Sequence, residues 1–491
     1  MTNLLIKNGL IVNGAGTPPE KNDIFIRNGK IVEIGNLKQV KAQTIIDAVN
    51  MIVVPGFIDV NSEIDHSLEI FSNPKQINYL RQGVTTVIGG NGGWSLAPII
   101  NEFSLDFLTP GRQKPDNSGF NFHWQNVGEF LHRIFQNNLG VNFGTLVGYS
   151  NIRRALTRLA YRDLSEKELE TSMKIITESV KEGALGCSLN FNEISENKIP
   201  FSEIRMLMKT LAKVKGLLAI RFSGHPENLF ENFKKIIVAA KEEKVNLEFN
   251  RFQPFKNKKD EYSEIRKIIE ESAASHLISF DCDFSDSAIV ESRFFLPSPL
   301  NRSDRRTILD SLGEKEWIKK IIENFRNFQG EEIIVRKTIK PFDFLNGRSL
   351  IEFAKSHDLS LAESFIRLMR LTNGRIDFFC KNIDEKEAET AALSVNSLIS
   401  SSDDGNDSFE KFLKTAAAKG LSIEKIIAKL TSLPAQKYGL NKRGAIRKDN
   451  FADIVILRDN KPVSVIVNGR LAINEGIPEK VLAGRALRSF E

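Results

Sequence analysis

Residues 54–66 read VPGFIDVNSEIDH. The apolar run from Ile52 to Ile58 predicts a buried strand. It stops at a polar tip, and residues two apart on a strand share a face. Asn61 and Glu63 therefore project together from the strand's end.

Upstream of this strand, residues 1–50 alternate around Asn-Gly and Gly turns in "NLLIKNGLIVN", "NDIFIRNGKIVEIG" and "AQTIIDAVNMIVVPG". The far end of the chain does the same in "FADIVILRDNKPVSVIVNGRLAINEG". Two β-rich ends around a long middle predict one small β-domain built from 1–52 plus 437–491.

Between them, strands alternate with single helices. "GVTTVIGGNGG", "VNFGTLVGYSN", "ALGCSLNF", "LLAIRFSGH", "VNLEFNRF" and "LISFDCDFSD" read as strands, and "RIDFFCKN" and "NSLISSSDDG" follow. The helix in "LSEKELETSMKIITESVKEG" opens on a capping box, Ser165 to Glu168. This pattern implies right-handed βαβ units and a parallel sheet. About eight strands favour a (β/α)8 TIM-type barrel. The barrel is expected over 53–436, with insertions near 104–125 and 296–345.

The chain has 491 residues, 41% apolar and 26% charged, which predicts an ordinary globular core. No apolar run approaches the length that crosses a bilayer, and the N-terminus alternates like a strand rather than a signal peptide. Cys187, Cys282 and Cys380 lie far apart, which fits a reducing cytoplasm better than a disulfide framework. The net charge of +6 is spread along the chain. No nucleic-acid or membrane partner is expected.

The motifs resemble the amidohydrolase superfamily and, more narrowly, the N-acyl-D-amino-acid deacylases, or D-aminoacylases. "VPGFID" is similar to that family's first barrel strand, and "QGVTTVIGGNGGWSLAP", Gln82 to Pro98, to the segment after it. "EGALGCSLNF", "NGRSLIEFAKSHDLSLAESFIRLM", "LTSLPAQKYGLNKRGAIRKDNFADIVIL" and "VSVIVNGRLAINEG" resemble later family segments in the right order. The resemblance implies a (β/α)8 barrel with a small β-sandwich domain from both chain ends. It also implies hydrolysis of linear amide C–N bonds with zinc.

Family ligand positions are substituted here. The first strand's His-x-His is replaced by Asn61 and Glu63. The family cysteine is Gly92, in "GNGG". Two later histidine positions are Arg221, in "AIRFSG", and Asn250, in "EFNRF". A guanidinium has no lone pair to donate. No metal ligand is therefore assigned and no cofactor is expected, although zinc is typical of the family. "SSSDDGN" offers Asp403, or alternatively Asp404, as the family's catalytic aspartate. Arg221 and Arg251 are the candidates for binding a small carboxylate or amide ligand. Arg221 is also expected to pair with Glu63 and Asp403. His66 and His225 are expected in water-facing loops. The chain thus reads as either an inactive or repurposed homologue, or a hydrolase with an atypical metal site or metal-free acid–base chemistry.

Overall fold

The computed structural model describes residues 3–105, 122–158, 162–191, 199–222, 228–272, 277–303, 305–328, 332–401 and 407–489. Its centre is a parallel barrel. The first three strands are Phe57–Asp59, Val84–Gly89 and Asn142–Thr145. The third bends at Leu146 and continues as Val147–Gly148, which pairs with the fourth strand, Gly186–Asn190. Leu217–Arg221, Asn246–Asn250, Ile278–Cys282 and Ser397–Ile399 follow as strands five to eight. The eighth returns to the first: Ser401 N–H donates to Oδ1 of Asp59 at 3.2 Å.

Helices pack on the outside because each carries one apolar stripe. Helix Glu166–Lys181 starts at the expected capping box. Helix Leu229–Glu243 sends Phe233 against the barrel, 4.0 Å from the ring of Phe222 and 4.6 Å from that of Phe249. Burying each such ring contributes about 1.5–3 kcal/mol. All three cysteines are buried, and none is in a disulfide. Among the described residues, no helix is long and apolar enough to cross a membrane.

The small domain is a β-sandwich from both chain ends; eight of its nine strands hydrogen-bond in one continuous order, and the ninth, Thr44–Asp47, branches from it beside Asn3–Ile11. Ile454–Arg458 runs antiparallel to Ile52–Pro55, and that strand lies beside Asn3–Ile11. The apolar run Ile52 to Ile58 is consequently two strands in two domains, not one. The break is Gly56. Its N–H goes to the carbonyl of Asp453 at 2.8 Å, and a β-carbon there would lie 2.1 Å from Oγ1 of Thr85. Pro55, with no N–H, cannot continue a ladder.

A third layer covers one side of the barrel mouth. Ala288–Glu291, Ile333–Thr338 and Ile376–Cys380 form an antiparallel sheet with Ile376–Cys380 in the middle. "RIDFFCKN" therefore belongs to this inserted sheet and not to the barrel. An apolar alternating strand has the same sequence signature in either sheet, and only tertiary pairing decides between them.

Candidate functional site

Active sites of (β/α)8 barrels lie where the strands end at the C-terminal face. Here that face is built around Asp281, at the end of the seventh strand and fully buried. Asn61 donates Nδ2–H to its Oδ1 at 3.2 Å. Asn250 Nδ2 and the Arg251 backbone N–H reach Oδ2 at 2.9 and 3.1 Å. Ser400 Oγ donates to Oδ1 at 2.6 Å. Four neutral donors from strands or strand ends one, six and eight thus surround one carboxylate. Beside it, Asp59 accepts from the backbone and hydroxyl of Ser401, and burial pushes its carboxyl up to about 6.

Above this layer lies an ion cluster. Arg221 Nη1 and Nη2 stand 3.3 and 3.4 Å from Oε1 of Glu63, and Arg251 Nη2 stands 3.4 Å from the same oxygen. Burial, and then the nearby Arg221 charge, lower the pKa of Arg251. Arg251 also holds φ at +52°, a costly backbone for a large side chain. Its N–H bond to Asp281 fixes that conformation.

The loop after the second strand makes room for this cluster. Gly90, Gly92 and Gly93 all have positive φ. A β-carbon on Gly92 would lie 3.0 Å from Nη1 of Arg221 and 3.5 Å from its Cζ. The guanidinium therefore stands where a side chain at position 92 would project. Gly89 is different: it has ordinary φ, but a β-carbon there would lie 2.8 Å from the Phe143 ring and 2.9 Å from the carboxyl of Asp65.

The expected residues divide as follows. Asn61, Glu63, Gly92, Arg221, Asn250 and Arg251 all gather at the barrel mouth. The expected pairing of Arg221 with Glu63 is present. Asp403, Asp404 and His225 lie outside the described residues. His66 is not in water: it is 3% exposed, and its Nε2 meets the carbonyl of Trp94 at 2.9 Å. The strand-tip loop folds back onto the glycine loop and buries it. Trp94 packs at the mouth, with the Arg154 guanidinium 5.0 Å from its ring centroid. The central role of Asp281 was not singled out in the sequence. A charged residue inside "LISFDC", facing the same way as Asp283, was the signal that could have marked it.

A cavity of about 520 Å³ opens beside the cluster, between the barrel mouth and the inserted sheet. Arg251, Gln253 and Asp283 form its inner end. Asp283 is buried, which raises its pKa, and Gln253 Nε2 donates to it at 3.2 Å.

Comparison with known proteins places this architecture. The chain is 25% identical over 467 residues to a D-aminoacylase of Alcaligenes xylosoxydans, covering 92% of this chain and 87% of that protein. The N-acyl-D-aspartate deacylase of the same organism is 23% identical, over 98% of this chain and 91% of the relative. The chain is thus similar to D-aminoacylases over nearly its whole length. Among solved structures, the N-acyl-D-glutamate deacylase of Bordetella bronchiseptica, complexed with zinc and a phosphonate inhibitor, superposes with a TM-score of 0.81 at 19% identity, covering 99% of each chain. No family model matches the chain.

Proposed function

We propose that this D-aminoacylase homologue has a repurposed barrel mouth, which binds a small carboxylate or amide without metal-assisted hydrolysis. The observation that carries this reading is the Arg221 guanidinium seated against Gly92. Zinc takes imidazole, thiolate or carboxylate donors. The substituted positions offer two amides that turn their N–H2 groups toward Asp281, a bare backbone at Gly92 and a permanent cation. Glu63 is a carboxylate, but two guanidiniums hold it. These donors do not fit the ion.

What remains suits an organic ligand. Nε of Arg221 is buried without a hydrogen-bond partner among the described residues, as are Oδ1 of Asn61 and Oδ1 of Asn250. Unmet buried groups each cost about 1–3 kcal/mol. A carboxylate would satisfy the donor, and an amide N–H the acceptors.

The relatives' names, matched over nearly the whole chain, favour a second reading: hydrolysis of N-acyl-D-amino acids through an atypical site. Metal analysis of the purified protein, paired with an assay on N-acetyl-D-amino acids, separates the two. The expected result is substoichiometric metal and no turnover, with saturable ligand binding. Stoichiometric metal together with turnover that chelation abolishes would establish the second reading instead.

A further inference from the structure

The cavity beside the mouth has two kinds of wall. Phe284, Ile289, Ile334 and Phe379 give it an apolar side, three of them from the inserted sheet. The remaining lining carries four carboxylates, Asp283, Asp286, Glu385 and Glu389, against two cations, Arg251 and Lys411. The carboxylates are not equally engaged. Glu389 is held by Lys419 at 2.9 Å. Lys381 lies 3.9 Å from Asp286 but is turned to Glu332 at 2.7 Å. Asp283, nine-tenths buried, accepts from the neutral amide of Gln253 and lies in the field of Arg251. Glu385 stands at the open end.

Arg251 joins this cavity to the ion cluster at the mouth, so a ligand whose carboxylate lies at the guanidiniums extends outward between these walls. A second carboxylate on the ligand would face four of its own sign. An aliphatic stem ending in a cation matches both walls. Its methylenes lie on Ile289, Ile334 and the aromatic rings, and its charge meets the acids. We propose that the cavity selects an N-acylated amino acid with a basic side chain over one with an acidic side chain. This rests on the carboxylate-binding reading of the mouth given above.

Calorimetric titration of the full chain with N-acetyl-D-lysine, N-acetyl-D-leucine and N-acetyl-D-glutamate tests it. The lysine derivative is expected to bind about tenfold tighter than the glutamate derivative, with the leucine derivative between them. The exposed double substitution Asp286→Asn with Glu385→Gln is expected to remove most of that preference without unfolding the chain. Equal or tighter binding of the glutamate derivative, or a preference that survives the double substitution, overturns the proposal and leaves the carboxylate-binding reading standing. If none of the three binds, both fall.

Discussion

Gly92 holds φ at +61°, and its missing side chain leaves the Arg221 guanidinium its place. The two positions are therefore coupled, although 129 residues separate them in the chain. Gly92→Ala forces an L-residue into the left-handed region, at about 1–2 kcal/mol. It also pushes Nη1 of Arg221 away from Glu63. In an Arg221→Ala background only the backbone cost remains. The substitution is thus expected to be milder there, with a coupling of about 0.5–1 kcal/mol in a double-mutant cycle by urea unfolding. Strict additivity would mean that the guanidinium does not occupy that space. At this scale the sequence was partly legible. Asn61 and Glu63 were found from their place at a strand tip, and Gly92, Arg221 and Asn250 from the resemblance to the family's ligand positions. The Arg221–Glu63 pair followed from the need of a half-buried guanidinium for a carboxylate. The hub at Asp281 was not legible, because nothing local to "SFDCD" says which side chains from other strands converge on it. His66 was misread for a related reason: whether a residue past a strand tip is covered depends on a loop 28 positions later in the chain.

Along the sixth barrel strand, Asn246–Asn250, Glu248 shares the inward face with Asn250 and lies one layer deeper. It is fully buried, Ser279 donates its hydroxyl to it, and Oε1 has no partner among the described residues. Burial pushes its carboxyl up to about 8, with Lys437 opposing the shift and Asp281 adding to it. Lys437 bonds the carbonyls of Leu247 and Leu277 at 2.7 and 2.9 Å, and burial brings it down to about 8. The signs follow from linkage. The folded chain holds the proton on Glu248 more tightly than the unfolded chain does. That contribution is complete below about 4.5 and is lost as pH rises toward about 8. Lys437 contributes in the opposite sense: its share is complete above 10.5 and lost as pH falls through about 8. The pair is least favourable near pH 8. Glu248→Gln removes the falling limb, so its stability relative to the parent chain should rise by at least about 1 kcal/mol between pH 5 and pH 8. Denaturation midpoints at the two pH values check this, and a pH-independent difference between the proteins would refute it. The strand itself was legible from its apolar residues and flanking turns. Its polar inner face was not, since "NLEFN" alternates equally well with its polar side toward water.

For the molecule as a whole, strand–helix alternation and two β-rich ends sufficed for the barrel and a small β-domain, because those patterns repeat many times, and the family resemblance supplied the sandwich. The inserted sheet escaped notice because its strands, 288–291, 333–338 and 376–380, are far apart and look like barrel strands singly. Sandwich and barrel share an apolar core, and a buried polar knot joins them as well, whose strength can be measured. Asp453 sits just before the strand Ile454–Arg458. It bonds the Arg443 guanidinium through Oδ2, and the same oxygen accepts Nδ2–H of Asn142, on the third barrel strand, at 3.1 Å. Its Oδ1 accepts the backbone N–H of Asn468 at 2.8 Å. Asn468 closes the ring: it donates Nδ2–H to Asn142 Oδ1 at 2.7 Å and accepts from Arg443 Nη2 at 3.0 Å. Arg443 and Asp453 are both under 9% exposed, so removing the carboxylate leaves a buried cation with one neutral acceptor. Asp453→Ala is therefore expected to cost about 3–5 kcal/mol, whereas the apolar pair Arg443→Met with Asp453→Leu should cost less than that single substitution. Equilibrium unfolding of the three proteins decides the matter. If Asp453→Ala is neutral, the knot does not bind the two domains. If the apolar pair is the worse of the two, the hydrogen bonds to Asn142 and Asn468 matter more than the buried charge.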